Sequence, residues 1–466
     1  MKINNAVLID GDISSASLLF VLIGVGYLFP FSALTQPVDY WHEVFPDFNI
    51  EFPLTTVFLW SNLLFLGLIV FSTTEPSYTF RIVGGFLGQL LVLIFVPSIY
   101  FLHLKEHVHF VFIMVATVLA SFATAFVDSV AISFAAQYPV RIQESLQFGV
   151  GFSTLIGSVY RIVTKLVFPP QRVVESSLLY FYSGSATIVL CIYAYYQILR
   201  LPISREYLIF GIQKRDNKVM GGDTTRADAA GHELSSNEGM FQPLVRSIST
   251  THPSLAAHYH YNSSEHRHYG SCIASTEDSE SAAAITRVSE PSVIIIDRSK
   301  LLRKIAFSEL VVFSLFFSTL LLWPPLVTEI RSFNFPYLNE TKWYSLILLL
   351  FFAVSDCMGR LATPYRSFLT PSNLWVFVAI RFALFPLIVC SVKGYYFFTN
   401  DAYSILFVNL LGFTNGYLGT ISVLFVNDIV EEHERGIAGT YTGFFLNLGL
   451  VCGGSMAFLL QKWIIS

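Results

Sequence analysis

The chain has 466 residues, of which 54% are apolar and only 13% charged, and its net charge is −4 at pH 7. A soluble globular domain is about half apolar but about a quarter charged, so this balance, with a mean hydropathy of +0.59, excludes an ordinary soluble fold. The acidic balance excludes nucleic-acid binding as well, because that needs a basic face.

Long windows such as Ser15–Tyr27, Leu54–Phe71 and Val83–Leu102 hold no Lys, Arg, Asp or Glu. As helices they are long enough to cross roughly 30 Å of hydrocarbon. A barrel would instead show alternating segments of about ten residues, and none occur. The pattern predicts spans over 15–37, 54–72, 81–102, 108–137, 145–168 and 177–200, then over 305–328, 343–363, 371–393, 403–427 and 437–463. The fold class is therefore an all-α membrane protein with about eleven transmembrane helices in a six-plus-five arrangement. Residues 1–200 form an N-terminal bundle, 201–302 a cytoplasmic loop and 303–466 a C-terminal bundle.

The polar stretch Met1–Ser14 lacks the basic lead and cleavage site of a signal peptide, so the first span is expected to stay in the mature protein. That span carries Pro30. The fourth carries Asp128, with no partner on its own helix. It pairs with Arg381 or another cation, or it titrates with a raised pKa, the usual element of proton coupling. The fifth opens with Gly149, Gly151 and Gly157, small residues that let backbones approach closely. Near its end stand Arg161 and Lys165, spaced to snorkel to the interface.

The interruption 201–302 is rich in Ser, Asp, Glu, His and Gly and is expected to be disordered. Its histidines (His252, His258, His260, His266, His268) read as a solvated loop rather than a metal site. Arg246–Ser249 fits a basophilic kinase but also arises by chance in such sequence. Basic residues flank the loop: Arg200, Arg205, Lys214, Arg215 and Lys218 before it, Arg298, Lys300, Arg303 and Lys304 after it. They place the loop and the N-terminus in the cytoplasm and the C-terminus outside, with the plasma membrane as the expected residence. The sequon at Asn339 then faces outside, and that at Asn262 the cytoplasm.

The seventh span carries Pro324–Pro325, corresponding to Pro30 of the first in a six-plus-five scheme. Discontinuities at matching places point to a midplane site, though ordinary kinks explain either proline alone. Asp356 and Arg360 lie at i and i+4 in the eighth span, on one helix face. They read as contacts for a polar solute or as a structural salt bridge. The ninth span carries Arg381 and Pro386. Glycines 436, 439, 443, 449, 453 and 454 line the eleventh. The five cysteines (Cys191, Cys272, Cys357, Cys390, Cys452) are scattered, so no disulfide framework or zinc site is expected. No His-Glu-x-x-His, Gly-x-Ser-x-Gly, CxxC or P-loop pattern appears, which leaves enzyme chemistry without its usual parts. No cofactor and no metal are expected.

Several ordered motifs resemble the equilibrative nucleoside transporter family. Asp356-Cys-Met-Gly-Arg360 is similar to its eighth-helix Asp-x-x-Gly-Arg, read here within Ser355–Arg360, and Asn415-Gly-Tyr-Leu418 to its tenth-helix Asn-Gly-Tyr-Leu. Arg381–Phe382 with Pro386, Asn400–Tyr403, Ala438–Gly439, Phe444–Leu446 and Leu448–Leu450 follow in order. In the first half, Leu28–Ser32 resembles Leu-x-Pro-Trp-Asn, with Phe31 for Trp and Ser32 for Asn. Pro139, Arg141, Gly149 and Gly151 fall at the family's spacing, as does Trp323-Pro-Pro325.

The resemblance implies a major-facilitator-like fold that moves purine or pyrimidine nucleosides, or nucleobases, by alternating access. It implies that Asp356 and Arg360 contact the ribose, that Phe31 packs on the base and that Leu450 lines the path. Asp128 falls where the family commonly has a base-reading Gln, so base preference does not transfer. Ala353 replaces a frequent polar residue. The partners implied are a nucleoside or nucleobase and the lipid bilayer, with protons as a further one. A major-facilitator carrier of another polar solute such as a sugar is the alternative.

Overall fold

Charge-free segments of twenty residues satisfy every backbone hydrogen bond internally only as helices, and helices are what they form. The computed structural model describes residues 2–46, 50–72, 78–103, 105–169, 171–204, 296–340, 343–395 and 398–465. Ahead of the central segment run α1 (Lys2–Thr35), α2 (Val38–Val44), α3 (Glu51–Phe71), α4 (Tyr78–Ile99), α5 (Glu106–Asp128), α6 (Ala131–Ala135), α7 (Val140–Val167) and α8 (Val173–Arg200). After it come α9 (Arg298–Leu322), α10 (Pro325–Thr328), α11 (Tyr337–Glu340), α12 (Trp343–Leu361), α13 (Leu374–Arg381), α14 (Leu384–Lys393), α15 (Asp401–Ile429) and α16 (Arg435–Ile465). Among the described residues, eleven helices, counting joined pairs once, are long and apolar enough to cross a membrane. They coincide with the eleven spans expected.

The expected disorder of the loop, its histidines, Arg246–Ser249 and the Asn262 sequon fall within 205–295, outside the described residues. The helices after the central segment begin before 303: α9 starts at Arg298, where the Asp297 side chain accepts from the amides of Ser299 and Lys300. That N-cap supplies acceptors for orphan N–H groups of the first turn.

Close helix pairs explain the glycines. In α1 against α7, a Cβ on Gly24 would strike the Leu146 carbonyl and one on Gly149 the Val21 carbonyl. The pairs α9–α16 and α12–α15 repeat the device. Gly449 and Gly453 lie on the carbonyls of Phe313 and Phe317, and Gly359 and Gly416 on those of Phe413 and Asp356. Without side chains between them, backbones reach distances at which dispersion replaces the hydrophobic drive that lipid does not provide. Outward faces carry residues such as Leu91 and Leu166, exposed as lipid-facing positions are.

Among the described residues, three spans besides the α1–α2 pair are broken. Between α5 and α6 the Ser129 hydroxyl donates to the Phe126 carbonyl at 2.7 Å, a side chain competing with the helix ladder. Between α9 and α10 the break falls at Trp323–Pro324, as expected of the seventh span. The first span differs: α1 runs unbroken through Pro30. Between α13 and α14, Pro386 has no N–H to offer the Phe382 carbonyl, and the Phe385 amide takes it at 3.1 Å instead, tightening the helix to an i,i+3 turn.

Arg161 does not snorkel. Its side chain is 2% exposed, ion-paired with Asp39 of α2, and its Nη1 donates to Ser176 at 3.4 Å and Ser177 at 3.3 Å. A buried guanidinium is tolerated because those partners satisfy it, and α2 is thereby fastened to α7 and α8. Lys165 follows a similar rule, with Nζ 5.1 Å over the Trp343 ring, a cation–π contact.

Candidate functional site

The helices leave a central cavity of about 1060 Å³, its open mouth included, walled by α1, α3, α5, α7, α9, α12, α15 and α16. All five residues singled out from sequence, Asp356, Arg360, Phe31, Asp128 and Leu450, stand on that wall. Most of the wall is apolar, and its polar groups form two clusters.

One cluster is built on α12. One helical turn separates Asp356 from Arg360, and Arg360 Nε donates to Asp356 Oδ2 at 2.8 Å. Arg360 Nη1 donates to the Gln147 carbonyl at 2.7 Å and to Gln147 Oε1 at 3.3 Å. Its Nη2 has no partner among the described residues. Asp356 Oδ1 accepts from Asn415 Nδ2 at 2.6 Å, and Asn415 Oδ1 accepts from Thr319 at 2.7 Å. Thr319 in turn accepts from Arg381 Nη1 at 2.9 Å. Arg381 also donates to Ser318 at 2.7 Å, to the Leu315 carbonyl at 2.8 Å and to Thr414 at 3.1 Å. A buried ion pair survives only when its spare lone pairs and protons are met. Here neighbouring amides and hydroxyls meet them, and Nη2 is left over. Gly151 on α7 faces the pair, and a Cβ there would collide with both side chains.

The other cluster is built where α5 stops. Asp128 Oδ2 accepts from Asn62 Nδ2 at 2.8 Å, and the same Nδ2 donates to Asn447 Oδ1 at 3.2 Å. The expected pairing of Asp128 with Arg381 does not occur. Arg381 spends its donors on α9 and α15, so Asp128 is met by a neutral amide. Tyr27 brings its hydroxyl toward the same carboxylate and toward Asn447.

The wall also carries aromatic pairs. Phe31 lies against Phe58 with centroids 5.3 Å apart, and Trp323 stacks on Phe352 at 4.5 Å and 13°. Flat faces separated by a gap suit a planar solute. Leu450 adds an apolar contact from α16.

Sequence reasoning missed Asn62, Gln147, Asn415 and Asn447 as site residues. Asn415 stood in the Asn-Gly-Tyr-Leu motif without a role, and for the other three an uncharged amide inside an apolar span was the signal, which does not say which face it takes. It also passed over Glu309 on α9, fully buried off the cavity, whose Oε1 accepts from Thr442 at 2.7 Å. Among the described residues, no group of three or more His, Cys, Asp or Glu is placed to hold a metal ion.

A family model described as nucleoside transporter matches residues 113–462. Equilibrative nucleotide transporter 8 of Arabidopsis thaliana is 24% identical over 457 residues, covering 97% of this chain and 95% of that one. Human equilibrative nucleoside transporter 4 is 23% identical over 447 residues, covering 94% and 81%. In fold, the chain is similar to the major facilitator superfamily proton:xylose symporter XylE bound to 6-bromo-6-deoxy-D-glucose. The TM-score is 0.61 at 10% identity, over 98% of this chain and 90% of that one.

Proposed function

This chain belongs to the nucleoside transporter family, a family of carriers and not of enzymes, and we propose that it moves purine or pyrimidine nucleosides, or nucleobases, by alternating access around the central cavity. The observation that supports this best is the buried Asp356–Arg360 pair facing that cavity, whose wall also carries aromatic rings. A ribose diol presents two hydroxyls. A carboxylate accepts from such a diol and the spare Nη2 of Arg360 donates to it, both by charge-assisted bonds. Phe31 supplies a face for the base and Leu450 an apolar flank. The likeness to a sugar symporter is one of fold alone, so a sugar is the less supported cargo. The test is uptake of labelled adenosine and uridine into vesicles. Asp356→Ala and Arg360→Ala are expected to abolish uptake with the protein still in the membrane, and unchanged uptake refutes the site.

The chain is a multi-pass membrane protein. Within that frame we place the N-terminus and the 201–302 loop in the cytoplasm, the C-terminus outside, and the carrier in the plasma membrane. Helices 1–200 and 303–466 act as the two bundles that rock about the site. Coupling to protons rests on Asp128, a cavity carboxylate with no cation partner. If it couples, uptake rises on outside acidification, falls with an uncoupler, and loses both responses in Asp128→Asn. Uptake indifferent to the gradient leaves a purely facilitative carrier.

A further inference from the structure

Glu309 of α9 lies off the cavity, and the solute path makes no use of it. At helical spacing it shares a face with Ile305, Val312 and Phe316, which with Ala438 of α16 belong to one buried apolar cluster. The side chain is fully buried. Oε1 is 2.7 Å from the Thr442 hydroxyl oxygen, and Oε2 has no hydrogen-bond partner. No cation on the elements packed against α9 answers it. Arg381 of α13 is spent on α9 and α15, Lys304 pairs with Glu434, and Arg298 donates to the Ser72 carbonyl. Lys300, Arg303 and Arg435 make no ion pair or hydrogen bond with it among the described residues. Of the other titratable side chains there, Asp401 serves Ser332, Tyr417 donates to the Tyr365 carbonyl and Tyr441 lies against Phe71. Tyr403 and Asp428 of α15 are exposed.

The hydrogens at this contact can be counted. Thr442 has one hydroxyl hydrogen, and its oxygen is also 3.0 Å from the Ala438 carbonyl, which can only accept. As a carboxylate, Glu309 takes that hydrogen, and the contact with Ala438 is left with none. As an acid, Glu309 donates to Thr442 and Thr442 donates to Ala438, so each contact holds one hydrogen. The bare Oε2 argues the same way. A buried carbonyl oxygen without a donor is costly, but a buried carboxylate without a cation is far costlier, and such a group neutralises instead.

We propose that Glu309 is a proton-binding site separate from the solute cavity, holding one proton while α9 rests on α16 at Thr442. The two helices run side by side in the same direction. Lys304 meets Glu434, Glu309 meets Thr442, and Phe313 and Phe317 meet Gly449 and Gly453. Glu309 is five residues past Lys304, about 7 Å further in at 1.5 Å per residue, and the Lys304–Glu434 pair is partly exposed. Water reaches the acid when the helices part beside that pair. The proton then passes from Oε1 to water, and the Thr442 hydroxyl turns to the carboxylate. Phe316 of α9 and Leu446 of α16, two turns past Glu309 and one turn past Thr442, stand on the cavity wall. Binding the proton therefore favours the arrangement of the wall seen here, and losing it favours another. The proton never meets the solute, so the site stands whatever cargo the cavity takes.

The test is infrared spectroscopy of the full chain, purified in detergent at neutral pH. Subtracting the spectrum of Glu309→Gln, the neutral isostere, is expected to leave the C=O band of a protonated acid. A subtraction that leaves carboxylate bands overturns the proposal. Asp128→Asn should keep the Glu309 band, and its loss there would move the proton to the cavity and overturn the proposal as well. Thr442→Val retains the acid but removes its acceptor, so the same C=O band should shift to higher frequency. That shift decides the matter if Glu309→Gln does not fold, and a shift of carboxylate bands in its place refutes the site. Thermal melts check the linkage. Unfolding lets the acid release its proton, so alkali favours it, and the unaltered protein should lose stability relative to Glu309→Gln as pH rises. A difference that stays constant with pH would show that no proton is held there.

Discussion

Gly151 and Gly149 are two residues apart on α7 and carry different loads. A Cβ on Gly151 would meet the ends of two side chains, Asp356 and Arg360, which can move aside. Moving them displaces the ion pair by a fraction of an ångström, and binding geometry does not forgive that. A Cβ on Gly149 would meet the Val21 backbone carbonyl, which cannot move without separating α1 from α7. Gly151→Ala is therefore expected to keep its melting temperature in detergent while nucleoside uptake falls about tenfold or more. Gly149→Ala is expected to lose about 1–3 kcal/mol of stability through overpacking, seen as a lower melting temperature and less protein at the membrane. Equal loss of stability in both would contradict the assignment. At this scale the sequence was half legible. The spacing of Asp356 and Arg360 on a charge-free helix announced a pair on one face. Nothing in it told that Gln147 and Asn415, on helices far away in sequence, would complete that pair.

Among elements, α2 shows why a seven-residue amphipathic segment holds its place. Trp41 Nε1 donates to the Leu34 carbonyl at 2.8 Å, and Asp39 supplies the counter-charge for buried Arg161. Asp39 is about a third exposed, so solvent screens part of the pair's strength. Removing it still leaves Arg161 a buried cation with only two hydroxyls. Asp39→Ala is expected to cost up to about 3 kcal/mol, the low end for breaking a buried pair. The double variant Asp39→Ala with Arg161→Met should recover most of it, because the unpaired charge is then gone as well. Thermal melts of both singles and the double form a cycle. Additive losses would mean that the two residues do not act on each other. Sequence reading sent Arg161 to the interface because a long basic side chain near a helix end usually goes there. The acid that holds it inside comes from a separate element more than a hundred residues away. The broken seventh span was legible from Pro324–Pro325, whereas the break after Asp128 was not, since no proline or glycine marks it and a serine side chain makes it.

For the whole molecule, the cavity is only half of what a carrier needs, and the ties between its two halves are the other half. Where α7 begins, chain from before and after the central segment is tied across. Arg366 Nη1 donates to Glu144 Oε1 at 2.5 Å, Asn427 Nδ2 to Gln143 Oε1 at 2.9 Å, and Arg298 Nη1 to the Ser72 carbonyl at 3.2 Å. Glu144 and Arg366 are each partly exposed, so the pair contributes about 1 kcal/mol at most. That is a suitable size for a latch that must open on every cycle, since a deep ion pair would hold one state too firmly. Losing about 1 kcal/mol shifts a two-state balance about fivefold. Glu144→Ala and Arg366→Ala should each raise, about fivefold, the labelling rate of a cysteine placed at Gln147, in a protein without its native cysteines. The impermeant reagent is applied from the side on which α7 begins. The charge swap Glu144→Arg with Arg366→Glu should bring the rate back down, since the attraction is symmetric even though the geometry is not. Because the ties connect the helices on either side of the central segment, the same variants should change Vmax more than KM: they alter how often the site changes sides and not what it touches. Labelling that stays at the wild-type rate in both singles would show that this end is held by packing of α6 on α16, where Gly439 rests on Ser133, and not by charge.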